Sequence, residues 1–175
     1  MSIQYTQIVK TLPSSVPFVG PEAQERRLGK NFEARIGANE SVFGASPKAV
    51  LAMMDETGQA WKYGDPESFD LKHALAKKHN VAFENIIVGE GIDGLLGYLV
   101  RLFVEQGDNV VTTDGAYPTF NYHVEGFGGQ LHKVPFKDDT EDLDNLLNKV
   151  IETKAKMLYI SNPNNPMGTI NSVND

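Results

Sequence analysis

From residue 85 onward, short apolar runs alternate with stretches in which apolar residues recur every third or fourth position. Ile86-Ile87-Val88 is a compact apolar run of the kind that forms a buried strand. Ile92, Leu95, Leu96, Leu99, Val100 and Phe103 follow at helical spacing, which predicts a helix with one buried face. Residues 110–113 predict the next strand, 117–127 a helix and 130–134 a third strand. Leu143, Leu146, Leu147, Val150 and Ile151 stripe another helix, and residues 157–160 close the series as a strand. Upstream, Ser46-Pro47 reads as a helix cap followed by proline at the first helical position, opening a helix through Val50, Leu51 and Met54. Residues 69–80 predict a further helix.

Strands that are apolar throughout, separated by helices, predict an α/β fold in which a mostly parallel sheet is covered on both faces. Ligands of such sheets sit beyond the carboxyl ends of the strands. Residues 1–35 read differently. Pro13, Pro17, Gly20 and Pro21 punctuate them, Gln24-Glu25-Arg26-Arg27 is polar, and the segment is expected to be an N-terminal arm lying on a partner subunit or a second domain. Residues 36–175 then form the domain proper. Trp61 and the aliphatic stripes are assigned to the core.

Composition narrows the classes of function. The 175 residues carry 16 Lys+Arg against 23 Asp+Glu, a net charge of -7, with no basic block, which argues against nucleic acid or an anionic membrane as partner. Cysteine is absent, so disulfides, thiolate nucleophiles and cysteine-ligated metals are excluded. The four histidines (His73, His79, His123 and His132) show no metal-ligand spacing and are read as surface or helix-face residues, so no metal is expected. The chain starts without a visible signal peptide and has no apolar run of membrane-spanning length, and a soluble, cytoplasmic protein is expected.

The chemistry is concentrated between the predicted elements. Val88-Gly89-Glu90-Gly91-Ile92-Asp93-Gly94 joins the first predicted strand to its helix. Glycines allow a tight turn there, and the unpaired amides and dipole of the helix start favour an anion, with phosphate the natural occupant. Gly89-x-Gly91-x-x-Gly94 also satisfies the dinucleotide fingerprint, and Asp114 lies where a ribose-binding acid would stand. Taken alone, this window fits NAD, another phosphate ligand or a structural turn.

Four further segments distinguish these readings. Ala38-Asn39-Glu40-Ser41-Val42-Phe43-Gly44-Ala45-Ser46-Pro47 resembles the "ANENPxGPSP" segment of histidinol-phosphate aminotransferases. Tyr63-Gly64-Asp65-Pro66 resembles their "YPDP", and Asp114-Gly115-Ala116-Tyr117-Pro118-Thr119-Phe120 their "PTYxxY". Asn162-Pro163-Asn164-Asn165-Pro166-Met167-Gly168-Thr169 resembles "NPNNPTGT". The four occur in family order and cover roughly residues 35–170. The departures are Met167 for the usual threonine and Gly64 for proline, the latter expected to loosen its turn.

The resemblance implies a pyridoxal-phosphate (PLP) enzyme of fold type I, a class I/II aminotransferase. It implies the N-terminal part of the large domain, a three-layer sandwich with an incomplete, mostly parallel sheet. It further implies roles for single residues. The backbone amides of Gly91, Ile92 and Asp93 would hold the PLP phosphate, while Asp93's carboxylate points away and caps its own helix. Tyr117 would stack on the pyridine ring, and Asn165 would donate a hydrogen bond to the ring's 3-oxygen. Tyr63 would reach the phosphate of the other subunit's cofactor in a homodimer with shared active sites, and Asn39 would help bind the substrate carboxylate.

In this family the lysine that carries the cofactor and moves the proton follows well downstream of the last motif. Lys48, Lys133 and Lys156 lie too early to replace it, so the chain is expected to be an inactive N-terminal piece of a longer protein, without a catalytic residue of its own. The expected reaction of the whole is transfer of an amino group between an amino acid or amino acid phosphate and a 2-oxo acid. Decarboxylation of an amino acid phosphate on the same scaffold, an NAD-binding oxidoreductase domain and a non-catalytic dimerising remnant are the competing readings.

Overall fold

The computed structural model describes residues 3–12, 18–35, 37, 41–115 and 117–173. Asn39, with Ala38 and Glu40 beside it, lies outside the described residues, as do Pro13, Pro17 and Ala116. In chain order the elements are α1 (Gln7–Thr11), α2 (Pro21–Leu28), α3 (Pro47–Glu56), α4 (Phe69–His79), α5 (Gly91–Phe103), β1 (Asn109–Thr113), α6 (Pro118–Gly126), β2 (Gln130–Val134), α7 (Leu143–Thr153) and β3 (Met157–Leu158). Two compact units result, one of Met1–Phe18 with Gly89–Asp175 and one of Val19–Val88.

The first unit is built on β1. Its β-branched run Val110-Val111-Thr112-Thr113 suits a strand covered on both faces, and all four residues are fully buried. The sheet has the order β2-β1-β3 and both pairings are parallel, with Asn109 opposite Gln130 and Val110 opposite Met157. Successive strand residues point to opposite faces, and the core divides accordingly. Val110 packs with Leu96 and Val100 of α5, Val104 just after it, and Phe120 and Val124 of α6. Val111 packs on the other side with Val134 of β2 and Leu146 of α7. Helices therefore lie on both faces, and the expected α/β three-layer arrangement is present. Asp142 caps α7 by accepting from the Asn145 amide at 3.2 Å.

The second unit holds α2, α3 and α4. Ser46 and Pro47 open α3 at the predicted place, although the Ser46 side chain makes no capping bond. Helix α4 is tied to the short 3-10 turn Phe83–Asn85 by His73, whose ring lies 4.1 Å from Phe69 and 4.4 Å from Phe83. No residue of α3 is buried, and Trp61 is 80% exposed, so Trp61 is not a core residue. The periodicity recorded an apolar face correctly, but among the described residues nothing covers it.

Three other expectations change. Residues 86–88 do not form a strand, and Ile87 is exposed, because no described strand supplies a ladder partner. Strand β3 ends at Leu158 rather than 160, although the Tyr159 amide still donates to the Val111 carbonyl at 3.0 Å. In α5 only part of the stripe is covered: Leu96 and Val100 are buried, whereas Ile92, Leu99 and Phe103 are exposed. Among the histidines, His132 is on β2 and meets the Asn109 side chain at 2.8 Å.

Candidate functional site

Chemistry-bearing residues of the first unit gather at the carboxyl end of β1, where the parallel sheet leaves its strand tips and the starts of its following helices together. The chain leaves β1 at Thr113, turns through Gly115 and enters α6 at Pro118, which occupies the first helical position. Tyr117 is the residue just before that helix. Its half-buried ring packs against the core that contains Phe120, and its hydroxyl donates to Asp93 Oδ1 at 2.6 Å. Asp93 lies in the first turn of α5. One hydrogen bond thus joins the tip of β1 to the helix that follows the glycine loop.

The start of α5 depends on its glycines. Gly91 has φ +78°, a left-handed conformation that side chains disfavour, and no heavy atom lies within 4 Å of where a Cβ would stand. At Gly94 a Cβ would come to 2.9 Å from the Glu90 carboxylate, which runs alongside the helix toward the Tyr98 hydroxyl instead of capping it. Helix α5 accordingly has no side-chain cap. The Asp93 carboxylate therefore does not cap its own helix as expected; it is held by Tyr117. The Gly91 amide is also committed, donating to the Gly89 carbonyl at 2.8 Å. Ile92 and Asp93 carry the first-turn amides that remain for an anion. An open, uncapped helix start with no Cβ over it fits a phosphate.

The Tyr117 phenol ionises above its usual range, chiefly because the Asp93 carboxylate accepts its proton in a hydrogen bond and secondarily because of burial. The stability from this bond is complete below the ordinary phenol range and is lost only as pH rises through the raised value, so the pair is intact at neutral pH.

The Asn162 to Thr169 segment follows β3 as a closed loop, with the peptides before Pro163 and Pro166 both cis. Asn162 and Asn171 exchange two bonds of 3.1 Å at its base. Asn164 is its hub. Its amide donates to the Thr169 carbonyl, its carbonyl accepts from Gly168, and its side-chain oxygen accepts from the Met167 amide at 3.1 Å. Its carboxamide donates to Glu141 Oε1 at 2.8 Å, and the Thr113 hydroxyl donates to the other oxygen of the same carboxylate. Asn165, the next residue, is half-buried. Sequence reasoning singled out Asn165 and did not single out Glu141, Asn164 or Thr113, which this hydrogen-bond cluster joins. Asn164 lay inside a recognised motif, whereas Glu141 stands in no pattern that marks it.

Tyr63 belongs to the second unit and is fully exposed. Asp65 beside it accepts from the Phe69 amide at 2.7 Å and the Glu67 amide at 3.0 Å, and these bonds hold its carboxyl below the usual range. The turn that Gly64 was expected to loosen is thereby pinned to the start of α4. Asp114, the candidate ribose acid, is exposed and lies 4.0 Å from the Lys133 ammonium.

A parallel α/β sheet thus brings an uncapped, glycine-turned helix start and a phenol together at its strand tips. The chain matches the family Aminotransferase class I and II over residues 34–175, and it belongs to that family. It is 33% identical over 161 residues to a histidinol-phosphate aminotransferase of Desulfotalea psychrophila, covering 92% of this chain and 41% of the relative. A second such enzyme, of Moorella thermoacetica, is 31% identical and is matched over 94% of this chain and 42% of its own length. Among solved structures, the chain resembles histidinol-phosphate aminotransferase from Sinorhizobium meliloti in complex with pyridoxal-5'-phosphate, at 52% identity and a TM-score of 0.87. That likeness covers 95% of this chain and 44% of the other. The chain thus spans about two-fifths of the length of the curated relatives it matches.

Proposed function

We propose that this chain supplies the phosphate-binding and ring-binding side of a PLP-dependent aminotransferase of the histidinol-phosphate aminotransferase kind. The observation that carries the reading is the joining of Tyr117 to Asp93 at the uncapped start of α5. In this reading the amides of Ile92 and Asp93, with the Gly91 turn, receive the phosphate, and the Tyr117 ring lies against the pyridine. The carboxamide of Asn165 donates to the ring's 3-oxygen. When bound, PLP acts as an electron sink that lets an amino group pass between an amino acid, or amino acid phosphate, and a 2-oxo acid. In this reading the residues named here bind and orient the cofactor.

The remaining features extend the proposal. Tyr63 would serve the phosphate site of a second subunit in a homodimer, a role its full exposure leaves open to it. Residues 1–35 act as the arm and residues 36–175 as the N-terminal part of the large domain. Asn39 contributes to the substrate carboxylate site. In this reading the protein is soluble and cytoplasmic, with an amino acid and a 2-oxo acid as its small-molecule partners; among the described residues no helix is long and apolar enough to cross a membrane.

The NAD and decarboxylase alternatives are not favoured. The family model and the relatives that cover this chain are aminotransferases. The test is thermal unfolding of the native protein with PLP or with NAD. A ligand at a hundred times its Kd adds about 2.7 kcal/mol, so PLP is expected to raise Tm by several degrees and NAD to leave it unchanged. The reverse pattern would overturn the reading.

A further inference from the structure

The Glu141 carboxylate is buried and bonded to neutral donors. Glu141 is 5% exposed and stands just before α7. Its two oxygens take the Thr113 hydroxyl and the Asn164 carboxamide. Burial pushes its carboxyl up, while the bonds from Asn164 and the Ser161 backbone pull the other way. Burying a carboxylate is costly, and an apolar residue of similar volume is the cheaper way to fill a core position. Glutamate at this position therefore calls for a role that an apolar side chain could not fill.

The geometry points to Glu141 as a positioning residue for Asn165: one carboxylate clamps the asparagine loop to the tip of β1, so that the carboxamide next to the hub is presented at the mouth of the site. This inference rests on the proposed PLP-binding role of Asn165. Three observations support it. Thr113 is fully buried at the last position of β1, so its hydroxyl is a fixed point in the sheet. Asn164 is 5% exposed and all of its polar groups are engaged within the loop or by Glu141, so the loop moves with Asn164 as one piece. Besides Glu141, the Thr169 hydroxyl ties the loop by donating to the Asp139 carbonyl at 3.2 Å, at its far side and exposed. Adjacent Cα atoms are about 3.8 Å apart, so fixing Asn164 leaves Asn165 little freedom of position.

The test is a double-mutant cycle in the native protein, with PLP affinity read by equilibrium titration of the apo form and folding checked by thermal unfolding. Asn165→Ala is expected to weaken PLP binding about tenfold, as loss of one well-placed donor does. Glu141→Ala is expected to weaken it by a similar factor, because the loop that carries Asn165 then loses its tie to the tip of β1. The double variant should be no more than about twofold weaker than the worse single one, since coupled residues do not add. Glu141→Asp, one methylene shorter, keeps the charge but cannot reach both Thr113 and Asn164, and gives the same coupling should the alanine variant not fold. Factors that simply multiply in the cycle would overturn the positioning role and leave the PLP site standing. An Asn165→Ala variant with undiminished affinity would overturn the site reading and this inference with it.

Discussion

Tyr117→Ala is expected to weaken PLP binding by about tenfold to a hundredfold, while the protein remains folded. Stacking an aromatic side chain on a planar heterocycle contributes about 1–3 kcal/mol on alanine substitution, and every 1.4 kcal/mol is about a factor of ten in affinity. The half-buried ring of Tyr117 is fixed from both sides, by the core around Phe120 and by the Asp93 carboxylate at 2.6 Å. Its entropy of ordering is therefore already met before a ligand arrives. Tyr117→Phe separates the two contributions. It keeps the stacking face and removes the bond to Asp93, so its loss should be well below that of alanine. Equal losses for the two variants would assign the role to the hydroxyl and not to the ring.

Phe120→Ala is expected to destabilise the protein by about 3–5 kcal/mol, the range for a fully buried phenylalanine. Phe120 is 1% exposed, packs with Leu96 and Val100 of α5, and stacks on Tyr159 with ring centroids 4.2 Å apart. It thus joins α6, α5 and the residue that follows β3. Because α6 begins at Pro118, loosening this contact also frees Tyr117, and PLP binding should weaken along with stability. Urea unfolding of the variant measures the first effect. A change under about 1 kcal/mol would mean that the core around Val110 is not organised on this ring.

The first unit was largely legible in the sequence because its elements bury one another. Residues 110–113 and 130–134 became strands as expected, and the stripe of Leu146 and Val150 became the face of α7 turned to Val111. Periodicity reports which face a residue lies on, and here that face found its partner inside the chain. The failures share the opposite cause. Ile86-Ile87-Val88 has the composition of a strand but no described ladder partner, and the α3 stripe and Trp61 have no described cover. An apolar pattern states that a surface is to be covered without stating by what.

The candidate site residues stood out in the sequence for a different reason. Gly91, Tyr117 and Asn165 stand in motifs whose residue types carry their own chemistry, and the structure brings Tyr117 to the first turn of α5. Two details needed coordinates. The Gly91 amide is spent on Gly89, and the Asp93 carboxylate serves Tyr117 rather than its helix. Glu141 was invisible for a third reason. It lies 28 residues from Thr113 and 23 from Asn164 in sequence, and no local pattern connects positions that meet only through the sheet.

The most direct measurement is a crystal structure of the native protein with PLP bound. The phosphate is predicted to accept hydrogen bonds from the Ile92 and Asp93 amides, with the pyridine ring against Tyr117 and its 3-oxygen facing Asn165. A phosphate bound away from the start of α5, or a pyridine ring that does not touch Tyr117, would contradict the account.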